Sequence, residues 1–362
     1  MSQIKAAVCH SFDEPLRIET VDLRAPNGSE VEVSLGAVAV CHSDIAYAAG
    51  AWGGTLPAVY GHEAAGTITD IGASVSGLAI GDRVVVTLIR ACGECTSCAA
   101  GSPTICETSY NGDHGPLKTA EGGVLHQAMA CGAFAEKVVV EQSQVVKITA
   151  DLQFDAASLL ACGVITGIGA VVNAAELRAG QDAVVIGCGG VGLNAIQGAR
   201  IAGARRIVAV DTTEDKLEIA REFGATDTVL ASEGKPWRTA KNAMGRGADA
   251  VFVTVGVSAV YDSAPRYLAY GGKVIMVGMP HSGAMAEFEP VMLAAVGQGM
   301  IGSKMGDVVI QRDIPWMVDL YIQGRLKLDE LISGRWSLDQ INEAIADTKT
   351  GSARRNVIMF DR

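Results

Sequence analysis

Nine cysteines and six histidines carry the strongest chemical potential in this chain of 362 residues. Cys92, Cys95, Cys98 and Cys106 fall in the pattern Cys-x2-Cys-x2-Cys-x7-Cys. Four thiolates so close in sequence can surround one zinc tetrahedrally and leave no coordination position open, which makes a structural site. The residues between them, among them Gly93, Glu94, Thr96, Ser97, Gly101, Ser102 and Pro103, read as a polar loop, not the apolar setting that free cysteine prefers. An iron–sulfur cluster is the chemical rival, because similar spacings hold clusters. An odd cysteine count, with no secretory pattern over Met1–Pro15, points away from disulfides and towards metal.

A second chemistry lies in Gly187-Cys188-Gly189-Gly190-Val191-Gly192, which fits G-x-G-x-x-G. That pattern alone is weak, but here its context is complete. The apolar run Ala183–Ile186 precedes it, a helical segment with Leu193, Ile196 and Ala199 follows, and Ile207–Val210 leads to Asp211. Strand, glycine turn, helix, strand and acid together form the dinucleotide-binding fingerprint, with Asp211 near the expected spacing of about 20 residues. Gly187 allows the sharp turn, Gly189 lets backbone approach a pyrophosphate, and Gly192 lets the helix pack on the sheet. Unpaired N–H groups at Gly190 and Val191 and the positive helix end favour the phosphates. The Asp211 carboxylate accepts from a ribose 2′-hydroxyl and repels a 2′-phosphate, so NAD is expected over NADP.

Three further residues attract attention: Cys41 in Cys-His-Ser-Asp, His62 in Gly-His-Glu, and Cys162 in an uncharged stretch. They are far apart, so spacing assigns them no site, and each taken singly reads as a buried structural residue. His114 and His126 read as exposed loop residues.

The elements that would position these groups fall into two classes. Lys5–Cys9, Leu16–Thr20, Glu30–Ala39, Glu63–Gly72 and Arg83–Leu88 read as short strands, which predicts a mainly β lobe. From Ala183 onward strands and helices alternate, with further strands at Asp227–Leu230, Ala250–Val255 and Lys273–Val277, and a sixth near Met300–Ser303. That alternation predicts a doubly wound parallel sheet. Helices are expected at 315–321 and 338–348, and a closing strand at 357–360. Ala156–Glu176 reads as one apolar helix; its first 20 residues match a membrane span in length, but Ser158, Thr166, Asn173 and its many Gly and Ala residues favour a buried core helix. A net charge of −11 and the lack of basic runs argue against nucleic acid and anionic membrane as partners.

With these residues in view, the chain resembles the zinc-containing medium-chain alcohol dehydrogenases along nearly its whole length. The resemblance is carried by Cys41-His42-Ser43-Asp44, Gly61-His62-Glu63, the four-cysteine loop, Cys162-Gly163 with Thr166, Gly187–Gly192, Asp211 and Arg355. It implies a Rossmann-type doubly wound domain at 163–300 and a mainly β GroES-like catalytic domain formed by 1–162 and 301–362. It also implies a catalytic zinc on Cys41, His62 and Cys162, with Glu63 and Asp44 as neighbours that orient and tune it and Glu63 as a possible additional ligand. With the four-cysteine loop that makes two zinc ions per chain.

By the same resemblance, zinc activates an alcohol whose carbon gives a hydride to NAD, while Ser43 passes the alcohol proton towards the cofactor ribose. His42, Thr166, Lys216 and Arg355 are the remaining expected cofactor contacts. Trp52, Leu88, Met129 and Met279 fall where family members line the substrate pocket, which implies a primary aromatic or medium-chain alcohol oxidised to an aldehyde. Alternatives are a polyol or other secondary-alcohol dehydrogenase, or a dehydrogenase of S-(hydroxymethyl)thiol adducts of formaldehyde. Two departures matter. Ala46 stands where some members have a histidine that ends the proton path, and Trp52-Gly53-Gly54 stands where the glutathione-dependent branch is acidic. A non-catalytic protein that kept the fold is opposed by the complete ligand set, Ser43 and Glu63. A cytoplasmic homodimer or homotetramer acting on a small molecule is expected.

Overall fold

The computed structural model describes residues 1–148, 151–232 and 234–360. The chain divides into two compact units, Met1–Cys162 with Val309–Arg362, and Gly163–Val308. The boundary at 300/301 expected from sequence falls inside a strand, Gly299–Gly302, that pairs with Leu268–Met276. That pairing keeps residues 301–308 with the second unit.

The first unit is mainly β. One sheet runs, in spatial order, Leu117–Lys118, Arg17–Leu23, Ser2–Cys9, Ala58–Val59 and His126–Gln127. The larger sheet runs Val145–Lys147, Arg83–Val86, Glu63–Ile71, Glu30–Ala39, Arg355–Met359 and Ile332–Ser337, with Lys137–Glu141 also on Glu30–Ala39. Its Val- and Ile-rich strands turn Val31, Val33, Ile68, Val84 and Val86 into a shared core with Phe134, all at most 1% exposed. The Glu30–Ala39 strand organises the chemistry. Its last residue, Ala39, pairs with Glu63 on one side and Val357 on the other. One strand end therefore gathers Cys41, His62, Glu63 and Arg355 from distant parts of the chain.

The helix His42–Ala48 was not expected from sequence. Its start signal is Cys41-x-x-Asp44, a capping pattern with cysteine where serine or threonine is usual, and Asp44 Oδ2 accepts the Cys41 N–H at 3.1 Å. The expected single helix over Ala156–Glu176 is instead broken. An α-helix spans Phe154–Leu159, a turn covers 160–162, a second helix spans Gly163–Gly169, and a π turn spans Ala170–Ala174. Two glycines let the second helix pack closely on its neighbours. A Cβ at Gly167 would lie 2.4 Å from the Val191 carbonyl oxygen, and one at Gly169 would lie 2.4 Å from that of Gly306. The first helix is pinned separately, by Arg335 on Asp155 at 2.7 Å and by Phe154 lying over Gly36. Among the described residues no helix is long and apolar enough to cross a membrane.

The second unit carries a six-stranded parallel sheet. Counted in chain order, its strands lie 3-2-1-4-5-6 across the sheet. This is the dinucleotide-binding arrangement, with the order reversing beside Asp182–Ile186. The helix Gly190–Ile201 follows that strand directly and buries Leu193, Ala195, Ile196 and Ala199.

Candidate metal centres and dinucleotide site

Among the described residues, two groups of side chains can hold a metal ion: Cys92, Cys95, Cys98 and Cys106, and Cys41, His62, Glu63 and Cys162. In each group the ligand atoms lie within 4.8 Å of one another.

In the loop, Sγ of Cys92 is 4.0 Å from that of Cys98, and Sγ of Cys95 is 4.0 Å from that of Cys106. Zinc–sulfur bonds of about 2.3 Å at tetrahedral angles imply sulfurs roughly 3.8 Å apart, so the spacing suits zinc. The short helix Thr96–Ala99 and its flanks aim main-chain N–H groups at sulfur: Cys95 N to Cys92, Cys98 N to Cys95 and Cys92 N to Cys106, at 3.3–3.4 Å. Such donors favour thiolate. The Thr108 hydroxyl, with the N–H groups of Glu94 and Cys95, pulls the Cys92 thiol down to about 6. No disulfide links these residues or any other of the nine cysteines.

The second group is fully enclosed. Cys41 and Cys162 are each 6% exposed, and His62 and Glu63 are 0% exposed. Asp44, also buried, is its structural hub. Its Oδ1 accepts from Gly61 N and from His62 Nδ1, both at 2.9 Å, while Oδ2 takes Cys41 N. Asp44 thereby fixes the His62 proton on Nδ1 and leaves the Nε2 lone pair available. That nitrogen is buried with no hydrogen-bond partner. A hydrogen bond between the two thiols lowers the pKa of Cys41 and raises that of Cys162.

Glu63 adds a carboxylate. Its Oε1 accepts from Arg355 Nη1 at 3.1 Å, whereas Oε2 has no partner. Burial drives the Glu63 pKa up to about 8, against the pull of Arg355. Arg355, expected from sequence only as a cofactor contact, therefore belongs to this cluster; no local spacing could have revealed a pair 292 positions apart. One imidazole nitrogen, two sulfurs and a buried lone pair without a donor suit a zinc ion.

Ser43 is half-buried on the first turn after Cys41, and His42 is exposed beside it. Trp52 lies edge-on to Tyr47 with ring centroids 4.9 Å apart. Leu88 and Met129 are half-buried in the first unit, and Met279 is 61% exposed in the second.

The glycine turn behaves as its sequence requires. Gly187 has φ +96°, in the left-handed region, and a Cβ at Gly192 would lie 1.8 Å from the Gly187 carbonyl oxygen. A Cβ at Gly189 meets nothing within 4 Å. Gly189 is thus kept open on its outer side, where no protein atom packs. Asp211 is 7% exposed and accepts from Cys188 N at 2.6 Å and Thr212 N at 2.7 Å. Lys216 is half-buried in the next helix, Glu214–Phe223, and Thr166 is buried beside the Met305 sulfur at 3.7 Å.

Comparison with known proteins agrees with this geometry. Residues 27–150 match the alcohol dehydrogenase GroES-like domain, and residues 190–323 match the zinc-binding dehydrogenase family. An NDMA-dependent alcohol dehydrogenase of Amycolatopsis methanolica is 36% identical over 98% of each chain. An S-(hydroxymethyl)glutathione dehydrogenase of Paracoccus denitrificans is 32% identical over 98% of this chain and 99% of its own. The crystal structure of benzyl alcohol dehydrogenase from Acinetobacter calcoaceticus superposes with a TM-score of 0.93 at 30% identity, covering 100% of both chains. The chain belongs to the zinc-containing alcohol dehydrogenase family of medium-chain oxidoreductases.

Proposed function

We propose that this protein is an NAD-dependent dehydrogenase of primary aromatic or medium-chain alcohols, with one zinc on Cys41, His62 and Cys162 and a second on the four-cysteine loop. The observation that carries this reading is the buried Nε2 of His62, oriented by Asp44 and left without a donor within 4.8 Å of the buried sulfurs of Cys41 and Cys162. When bound, zinc supplies Lewis acidity towards an alcohol hydroxyl, and the nicotinamide supplies the hydride acceptor.

The chain's own residues do the rest. Asp44 holds the imidazole in one tautomer and one orientation. Arg355 donates to Glu63 Oε1 and favours its charged form against burial. The Ser43 hydroxyl would take up the alcohol proton; Ala46, one turn further on, offers no acid–base group to receive it. Asp211 would hold the adenosine ribose of a bound NAD through its hydroxyls, and a 2′-phosphate there would meet like charge. His42, Thr166 and Lys216 complete the cofactor contacts.

The Tyr47–Trp52 aromatic pair supports a flat apolar substrate, as does the likeness to a benzyl alcohol dehydrogenase. A second reading, oxidation of a formaldehyde–thiol adduct, is favoured by the relatives named for that activity. A panel of benzyl alcohol, 1-hexanol, ethanol, a secondary alcohol, a polyol, and formaldehyde with glutathione, each with NAD and NADP, separates the readings. Benzyl alcohol with NAD should give the highest kcat/KM. A highest value for formaldehyde with glutathione would replace the first reading by the second. The subunits are proposed to form a homodimer or homotetramer through the edge strand Gly299–Gly302, near which Met285, Phe288, Val291 and Met292 are exposed. Sedimentation of the wild type and of Ile301→Lys tests this.

A further inference from the structure

We propose that Gln144 is a specificity-positioning residue: its one buried carboxamide fixes the two backbone segments that carry Leu88 and Met129. The inference rests on the reading of those two side chains as walls of the alcohol pocket. Gln144 is 1% exposed and lies in a short turn, Gln142–Gln144. Its Nε2 spends both protons on carbonyl groups of different segments, Thr87 O at 3.0 Å and Ala130 O at 2.9 Å. Thr87 immediately precedes Leu88, and Ala130 immediately follows Met129. The Gln144 carbonyl oxygen accepts the Thr87 N–H at 2.9 Å, so Thr87 is held from both of its backbone polar groups.

The second segment needs such a hold. Met129 and Ala130 have φ of 52° and 51°, consecutive left-handed residues of which neither is glycine. Non-glycine residues stay in that region only when the surroundings over-determine them. Gln127 secures the far end of the same bend, donating to Cys131 O at 2.7 Å and Val139 O at 2.9 Å. Loss of the Gln144 carboxamide removes the bridge between the Ala130 carbonyl and the Thr87 segment. Leu88 and Met129 would then move independently, and the cost would fall on substrates that fill the pocket. The carboxamide also borders a cavity of about 260 Å³ lined by Gln127, Ala130 and Tyr110. Water from that cavity can reach the freed carbonyls, so loss of the amide need not unfold the unit.

The test is steady-state kinetics of Gln144→Met, Leu88→Ala and Met129→Ala with benzyl alcohol and ethanol, alongside zinc content. Gln144→Met keeps the side-chain length and removes both donors. The ratio of kcat/KM for benzyl alcohol to that for ethanol should fall about tenfold, the scale of a small misfit in an apolar pocket, mainly through KM and with zinc content unchanged. A merely structural glutamine would lower both substrates by the same factor. If Leu88→Ala and Met129→Ala change the ratio and Gln144→Met does not, the positioning role is overturned while the pocket reading stands. If neither wall variant changes it, the pocket reading fails and takes the inference with it. Should Gln144→Met fail to fold, Gln144→Asn, one carbon too short to bridge both carbonyls, is read in the same way.

Discussion

Asp44→Asn is the most informative small change in this chain. The native carboxylate accepts from three donors, two on Oδ1 and one on Oδ2, at 2.9–3.1 Å in a 1% exposed position. Asparagine keeps one acceptor oxygen, which can still serve Gly61 N and His62 Nδ1. Its amide NH2 then faces the Cys41 N–H, donor against donor. Losing one charge-assisted bond and leaving that N–H unpaired costs about 1.5–3 kcal/mol. At roughly 2–4 °C per kcal/mol for a domain of 150–250 residues, the melting temperature of the first unit should fall by about 3–12 °C. The same change weakens the hold on the His62 ring and on the Cys41 backbone, and loss of such an outer hydrogen bond lowers metal affinity or activity by about 10–100-fold. Differential scanning calorimetry, metal analysis after dialysis against a mild chelator, and alcohol oxidation measure the three effects on one preparation. A variant that melts with the wild type, keeps its metal and turns over at the wild-type rate would refute the assignment of Asp44 as the hub of the site.

Further outcomes follow from particular contacts. Gly189→Ala, whose Cβ meets no atom within 4 Å, should leave the melting temperature nearly unchanged and raise KM for NAD; Gly192→Ala, whose Cβ would sit 1.8 Å from a carbonyl oxygen, should unfold or severely destabilise the second unit. Cys98→Ser should remove one zinc equivalent and lower thermal stability, because binding to zinc-finger sites releases an apparent ~10–16 kcal/mol. Asp211→Gly should raise KM for NAD and narrow its advantage over NADP in paired assays; because Asp211 also accepts the Cys188 N–H, some loss of stability in the glycine turn is expected with it.

Much of this architecture was legible in the sequence because local rules governed it. The glycine turn, its strands and Asp211 lie within about thirty residues, and each glycine answers a steric demand at its own position. The four-cysteine loop is equally local. What escaped was set by tertiary contact. The break at 160–162 is invisible in a stretch that is apolar throughout, and the close packing of Gly167 on Val191 and of Gly169 on Gly306, which places the second helix, is a tertiary contact. The helix at His42 was hidden by a cysteine in the capping position. Arg355 reaches Glu63 only because a C-terminal strand pairs with the strand that ends at Ala39. The grouping of Cys41, His62 and Cys162 was suggested by family resemblance and not by spacing; the sheet register brings Cys41 and His62 together, and the turn at 160–162 adds Cys162 within reach of the same ion.

Zinc content measured together with alcohol oxidation, in the wild type and in Cys162→Ala, tests the central claim most directly. The account predicts two zinc ions per wild-type chain. It predicts one in Cys162→Ala, with most alcohol oxidation lost and NADH binding retained, since the glycine turn lies in the other unit. A Cys162→Ala protein that held two zinc ions and oxidised alcohol at a near-normal rate would contradict it.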